Sequence, residues 1–316
     1  MSLFKSLFGS SNKEKTDEKQ KNEERNFDIL KYDGIRAHHV MRFDYAIQCF
    51  EKALEIHEDA EVYEHLSSCY SRLGRFKNAW DTLTNWKNFE PTNPRPLSFL
   101  ANLAFIQEDY QSTNNFCEQA LALEPENPYL YYLSGRAFQG LKQYKDAIDH
   151  LSKAIEMQEN YTDAYISRAH AYYSEDKIDK AKEDIEKILS YEPENEDAII
   201  FKGDIQVIEE KQDLAITTYQ SIILTNPFNR EAYLRLGTLF QKQKEWDKAI
   251  KVYDDAIEVL PEFVDAYIER RNCKQAKGDL EGVEADTKII EQFKPVIEEE
   301  DNEPAEYLQQ KQNIPF

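Results

Sequence analysis

Apolar and polar positions recur with a long period along most of this chain. Between residues 230 and 263, Ala232, Tyr233, Leu236, Leu239 and Phe240 follow the i, i+3, i+4, i+7 spacing of one helical face. After a polar turn at Lys244 and Glu245, a second helical face follows from Trp246, Ala249, Ile250, Tyr253, Ala256 and Ile257. Pro261 closes the second helix, because proline lacks an N–H and disfavours helix in the residue before it. The same two-helix pattern returns at a 34-residue step, which separates Pro91 from Pro125, Pro193 from Pro227, Pro227 from Pro261 and Pro261 from Pro295. A second ladder runs through Ala46, Ala79, Thr113, Ala147, Ala181, Ala215, Ala249 and Val283, with a single 33-residue step at its start.

A fixed period of this size is the mark of a solenoid. Aligned on the two ladders, eight units run 27–59, 60–93, 94–127, 128–161, 162–195, 196–229, 230–263 and 264–297. Each unit buries its apolar faces only by stacking on its neighbours, so the length of 316 residues does not argue for two globular domains. Glycine has two expected uses. Gly34, Gly135, Gly203 and Gly237 occupy position eight of their units, where the paired helices approach closely, whereas Gly74 and Gly278 fall in the turn between helices.

Unit 230–263 resembles the tetratricopeptide repeat at all eight of that family's characteristic positions: Tyr233, Leu236, Gly237, Phe240, Ala249, Tyr253, Ala256 and Pro261. The resemblance extends over most of the chain and implies an all-α, right-handed superhelical solenoid of antiparallel helix pairs. Some units depart from the pattern. Trp86 stands where unit two should have alanine, so that helix pair must splay or repack. Gln206 and Gln212 replace an aromatic and a large apolar residue in unit six, which marks a softer joint. In unit eight, Lys274 and Thr287 stand at normally buried positions, as expected of a cap.

The ends differ from the repeats. Residues 10–26 are polar and mixed in charge, reading as a flexible linker or frayed helix. Before them, Leu3, Phe4, Leu7 and Phe8 form one apolar face beside Lys5, either a short anchor for a membrane surface or partner, or a terminus without a role. The acidic tail 298–316 contains Tyr307, Leu308, Ile314 and Phe316; it reads as a solubilising tail, with packing on the last unit or filling of the groove as the alternatives.

Composition narrows the partners. Sixty Asp and Glu against 39 Lys and Arg give a net charge of −21, which repels phosphate backbones and argues against nucleic acid. The four cysteines, Cys49, Cys69, Cys117 and Cys273, form no CxxC pair and fall on or beside packing positions, as reduced thiols of a cytoplasmic protein would. No apolar run is long enough for a membrane span, and the start lacks the apolar core of a secretory signal. No HExxH, GxGxxG, GxxxxGK[ST] or GxSxG motif occurs, and the adjacent His38 and His39 point about 100° apart on a helix. The chain is therefore expected to be no enzyme and to need no cofactor or metal.

What the resemblance implies instead is protein recognition: a scaffold or adaptor that holds a peptide or protein segment in the concave groove lined by first helices. The family's groove positions fall here on Arg95, Phe99, Asn102, Tyr129, Tyr132, Arg136, Gln139, His170 and Tyr173, with Asp204 in a more acidic second half. The first set suits stacking and pairing with a carboxylate. Lys31 matches one position of a two-carboxylate clamp known in some subfamilies, but Ile35 stands where that clamp has Asn. Two further readings are a membrane-associated adaptor tethered through residues 1–9, and a ligand-responsive regulatory subunit that bends at unit six.

Overall fold

The computed structural model describes residues 4–293, with side chains from residue 18 onward. Sixteen α-helices and no strand are found among the described residues. They divide into two compact units, Met1–Tyr191 and Glu192–Phe316.

The first unit holds α1 (Phe4–His39), α2 (Phe43–Leu54), α3 (Ala60–Arg72), α4 (Phe76–Phe89), α5 (Arg95–Ile106), α6 (Tyr110–Leu123), α7 (Pro128–Gly140), α8 (Tyr144–Met157), α9 (Thr162–Ser174) and α10 (Ile178–Tyr191). The second holds α11 (Glu196–Ile208), α12 (Gln212–Thr225), α13 (Arg230–Lys242), α14 (Trp246–Val259), α15 (Val264–Lys277) and α16 (Leu280–Gln292). Odd-numbered helices are the first of each pair and even-numbered helices the second. Within each unit every helix packs on its neighbours in sequence, and first helices also touch, α5 on α7 and α7 on α9 in one unit, α11 on α13 and α13 on α15 in the other. The pairs coincide with the sequence repeats from unit two onward. Segment 10–26 lies inside α1, which continues without a break into the first repeat. Phe4, Leu7 and Phe8 belong to its first turns, and Leu3 and the tail 298–316 lie outside the described residues.

Local signals set these boundaries. Asp59, Asn127, Asn195 and Asn229 cap first helices, their side-chain oxygens accepting from Val62, Leu130, Ala198 and Ala232 N–H groups. The second helices α4, α6, α10, α12 and α14 stop two residues before a proline, as α14 does before Pro261. Between the two helices of every repeat, position fifteen adopts left-handed backbone: Met41, Gly74, Glu108, Lys142, Asp176, Glu210, Lys244 and Gly278. The next residue's N–H returns to the carbonyl of position eleven, as Gln143 does to Phe138 at 2.8 Å and Glu245 to Phe240 at 2.9 Å. This is the Schellman closure, which satisfies carbonyls that the helix end leaves open.

Close approach at position eight is also present. A Cβ on Gly34, Gly135, Gly203 or Gly237 would run into Phe50, Leu151, Tyr219 or Tyr253, in each case position twenty-four of the same repeat. The core around Trp86 is repacked: the indole is fully buried, donates to Glu90 Oε2 at 2.9 Å and lies 5.9 Å from the ring of Phe99.

Candidate functional site

The aromatic half of the expected groove lies wholly in the first unit, on α5, α7 and α9. Tyr129 donates its hydroxyl to Asn102 Oδ1, and Asn102 is itself anchored by donating to the Ser98 carbonyl at 3.0 Å. The Tyr129 ring lies 6.3 Å from Tyr132, which lies 5.1 Å from Tyr161. Three tyrosines thus bridge adjoining first helices. Burial pushes the Tyr129 and Tyr161 hydroxyls above the usual phenol range, so they remain neutral hydrogen-bonding groups at ordinary pH.

Arg136 sits on this surface. Its guanidinium lies 4.9 Å from the centre of the Phe105 ring and 5.8 Å from that of Tyr132, and Nη1 donates to the Tyr132 hydroxyl at 3.3 Å. It is exposed and forms no ion pair among the described residues. The two rings and the Tyr132 hydroxyl restrict the fork's side-chain freedom, which favours bidentate contact with a carboxylate. Gln139, one turn on, donates to the Ser167 carbonyl at 2.8 Å and ties α7 to α9. His170 and Tyr173 are exposed on α9.

The other expected residues are arranged differently. Arg95 is exposed, but it closes on Glu64 with both carboxylate oxygens at 2.6 Å and lies over Trp86. Phe99 is half-buried and packs into the core against Trp86. Asp204 belongs to the second unit. It accepts from the Tyr219 hydroxyl at 2.7 Å and faces Arg235 at 3.4 Å, while Arg235 also pairs with Glu231 at 2.9 Å. Burial raises the Asp204 carboxyl pKa against the opposing pull of Tyr219 and Arg235. Lys31 is bound to Asp59 at 2.9 Å and Glu61 at 2.8 Å, so it is not presented as half of a carboxylate clamp.

Sequence reasoning missed two features. Phe105 and Tyr161 complete the aromatic surface; Phe105 lies at a groove position of unit three and was available to the same register argument. The second is a buried ionic core. Arg168 replaces the leucine expected at position seven of unit five and meets Asp184 at 2.6 and 2.9 Å and the Ser152 hydroxyl at 2.9 Å. Arg270 does the same in unit eight, with Asp286 at 2.5 and 3.2 Å and Asp254 at 2.6 Å, and Lys274 joins Asp286 at 2.9 Å. Each compact unit therefore ends in a repeat whose interior is ionic. Arginine where leucine is expected was the available signal.

No group of His, Cys, Asp and Glu side chains that could hold a metal ion occurs among the described residues, and no described helix is long and apolar enough to cross a membrane. All four cysteines are free and buried, and burial raises the Cys69 thiol to about 11 and the Cys117 thiol to about 12.

Comparison with known proteins gives a consistent picture. The family model described as tetratricopeptide repeat matches residues 104–171, and that described as tetratricopeptide repeat protein 21 N-terminal ARM repeat matches residues 145–284. Human tetratricopeptide repeat protein 13 is 26% identical over 144 residues, 45% of this chain and 17% of that protein. The BBSome complex member BBS4 of Bos taurus is 28% identical over 112 residues, 35% of this chain and 22% of that protein. The chain thus spans less than a quarter of the length of these relatives. Among solved structures, a tetratricopeptide repeat protein from Parabacteroides merdae superposes with a TM-score of 0.65 at 15% identity, covering 79% of this chain and 99% of that one. The pilF protein of Pseudomonas aeruginosa follows at a TM-score of 0.56 and 17% identity, covering 70% and 99%.

Proposed function

Because the chain belongs to the tetratricopeptide-repeat family, we propose that it is a non-catalytic scaffold whose first helices hold a protein segment by a carboxylate, with Arg136 as the recognition point. One observation carries this reading: an exposed guanidinium flanked by Phe105 and Tyr132, without an acidic partner among the described residues, in a chain of net charge −21. In so acidic a protein an arginine near a carboxylate pairs with it, as Arg95 does with Glu64. Arg136 is instead presented to the outside. The tyrosines beside it offer flat apolar area with a polar rim, which suits an extended segment ending in an acidic side chain or free carboxy terminus. We place this scaffold in the cytoplasm, a reading supported by its four buried free thiols.

The test is a set of peptides, each with a free and an amidated carboxy terminus, titrated against the full chain by fluorescence anisotropy. Free-carboxylate peptides should bind more tightly. Arg136→Ala should weaken them at least tenfold, since a hydrogen bond to a charged group contributes about 1.5–3 kcal/mol; Tyr132→Ala should weaken both forms alike. Equal affinity for free and amidated peptides, unchanged by Arg136→Ala, would refute the reading.

A further inference from the structure

A second concavity lies within the second compact unit, away from the first-helix surface and independent of the reading just given. It is a cleft of about 590 Å³ between α12 and α14. Ile223 and Leu224 line one side, Lys248 and Lys251 the other, and Tyr233 and Phe240 come from α13, which packs on both helices. Along each side helix the lining residues follow i, i+3, i+4, i+7 spacing, so the cleft is about two turns, or roughly 10 Å, long.

Comparison of the repeats with one another shows that this surface is specialised. Leu224 occupies position twenty-nine of its unit, where the other units have Glu55, Asn88, Ala122, Glu156, Ser190, Glu258 and Gln292. It is 84% exposed, the highest value for a large apolar side chain among the described residues. Four residues on, Phe228 is 67% exposed where other units have Thr92, Glu126, Asn160, Glu194, Glu262 and, in the last unit, Val296. Unit six alone has large apolar side chains at both positions. The opposite edge carries Lys248 and Lys251 in its first turn and Asp255 one turn on. Lys251 is exposed and makes no ion pair among the described residues, and Lys248 lies 5.4 Å over the Phe240 ring while pairing with Glu245. The cleft is thus an apolar trough whose α14 edge offers, at Lys251, a positive charge unpaired among the described residues, with Asp255 at its far end.

The chain itself contains a segment of complementary chemistry. Residues 298–316 open with Glu298, Glu299, Glu300 and Asp301 and continue to Tyr307 and Leu308. The segment follows α16, which packs on α15, which packs on α14. From Phe293 to Tyr307 an extended chain reaches about 45 Å, at about 3.3 Å per residue, against helix diameters of roughly 10 Å. We propose that the α12–α14 cleft is a docking site for segment 298–316 of the same chain, with Tyr307 and Leu308 against Ile223 and Leu224 and the acidic run along Lys248 and Lys251. Covalent attachment supplies a high effective concentration, so a shallow trough suffices.

Hydrogen–deuterium exchange on the full chain tests this. In the Tyr307→Ser/Leu308→Ser variant, amides of 220–227 and 248–255 should exchange at least threefold faster than in the unaltered chain, with other helices unchanged. Leu224→Glu should give the same increase; its site is exposed, so circular dichroism should show unchanged helicity. Lys251→Glu should weaken protection, and changing Glu298, Glu299 and Glu300 to Lys in the same chain should restore it. Protection indifferent to the Tyr307/Leu308 change overturns the proposal. Protection that rises with protein concentration also overturns it, in favour of a second copy on this surface.

Discussion

At Lys142 the backbone has φ +59°, a conformation that costs an L-residue roughly 1–2 kcal/mol. The Schellman closure demands it: Gln143 N–H reaches the Phe138 carbonyl only if the residue between the helices turns left-handed. Glycine relieves that cost but loses more backbone freedom on folding, by roughly 0.5–1 kcal/mol. Lys142→Gly should therefore stabilise the protein by about 0.5–1 kcal/mol, measured as a higher urea midpoint with an unchanged slope. Gly74→Ala, at φ +70°, should destabilise it by a similar amount. Only Gly74 and Gly278 made this turn visible in the sequence. Six other repeats place Met, Glu, Lys or Asp at the same position, because hydrogen bonding in the turn outweighs a strain that composition does not reveal.

At the scale of the helix pair, positions eight and twenty-four form one packing unit. Glycine at eight faces Phe50, Leu151, Tyr219 or Tyr253, whereas Ala101 is matched by Cys117 and Arg271 by Thr287. Where position twenty-four is large, position eight is Gly, Ala or Ser, because a close-packed interior leaves no room for two large side chains. Gly237→Ala places a methyl group against the fully buried Tyr253 ring and should cost about 1–3 kcal/mol. Tyr253→Leu in the same chain should recover part of that loss, a coupling measured by a double-mutant cycle in urea; purely additive losses would mean the two sites do not share the space. Such pairings, like the helices and their boundaries, were legible because they repeat. The groove was legible only as a register. Position along a helix says which residues share a line, but not which already have partners. Arg95 and Arg136 both lie at groove positions, yet Glu64 closes on the first and aromatic rings leave the second open. That difference depends on side chains from neighbouring repeats, which no single repeat contains. Arg168 and Asp184 likewise depart from the pattern singly and make sense only as a buried pair.

At the scale of the whole chain, charge is abundant in both compact units but histidine is not. All six histidines lie in the first unit, at residues 38, 39, 57, 65, 150 and 170. Burial holds His38, His65 and His150 below the ordinary histidine pKa. His38 lies 5.1 Å from His65 and 6.0 Å from His39, touches Ser68 at 3.3 Å and Phe43, and feels Arg72. His65 is drawn partly back upward by Glu64 and Glu61, and His150, near Lys153, by Asp146 and Asp149. For a base whose folded pKa is depressed, the unfolded chain binds more protons between the folded value and about 6.5. Stability is then complete above pH 6.5 and falls as pH drops toward the folded values. The second unit contains no histidine. Its Asp204 is an acid whose folded pKa is raised, so in its own window the folded state binds the proton and acidification stabilises. Lowering the pH from 7.5 to 5.5 should therefore lower the protection factors, taken relative to intrinsic exchange at each pH, in α1, α3 and α8 without lowering those in α11–α14. His38→Asn should flatten the dependence in α1 and α3, because it removes the proton site and its repulsion of His65 and Arg72 together. A loss of protection on acidification that is equal in the two units would show that these histidines do not set the acid response.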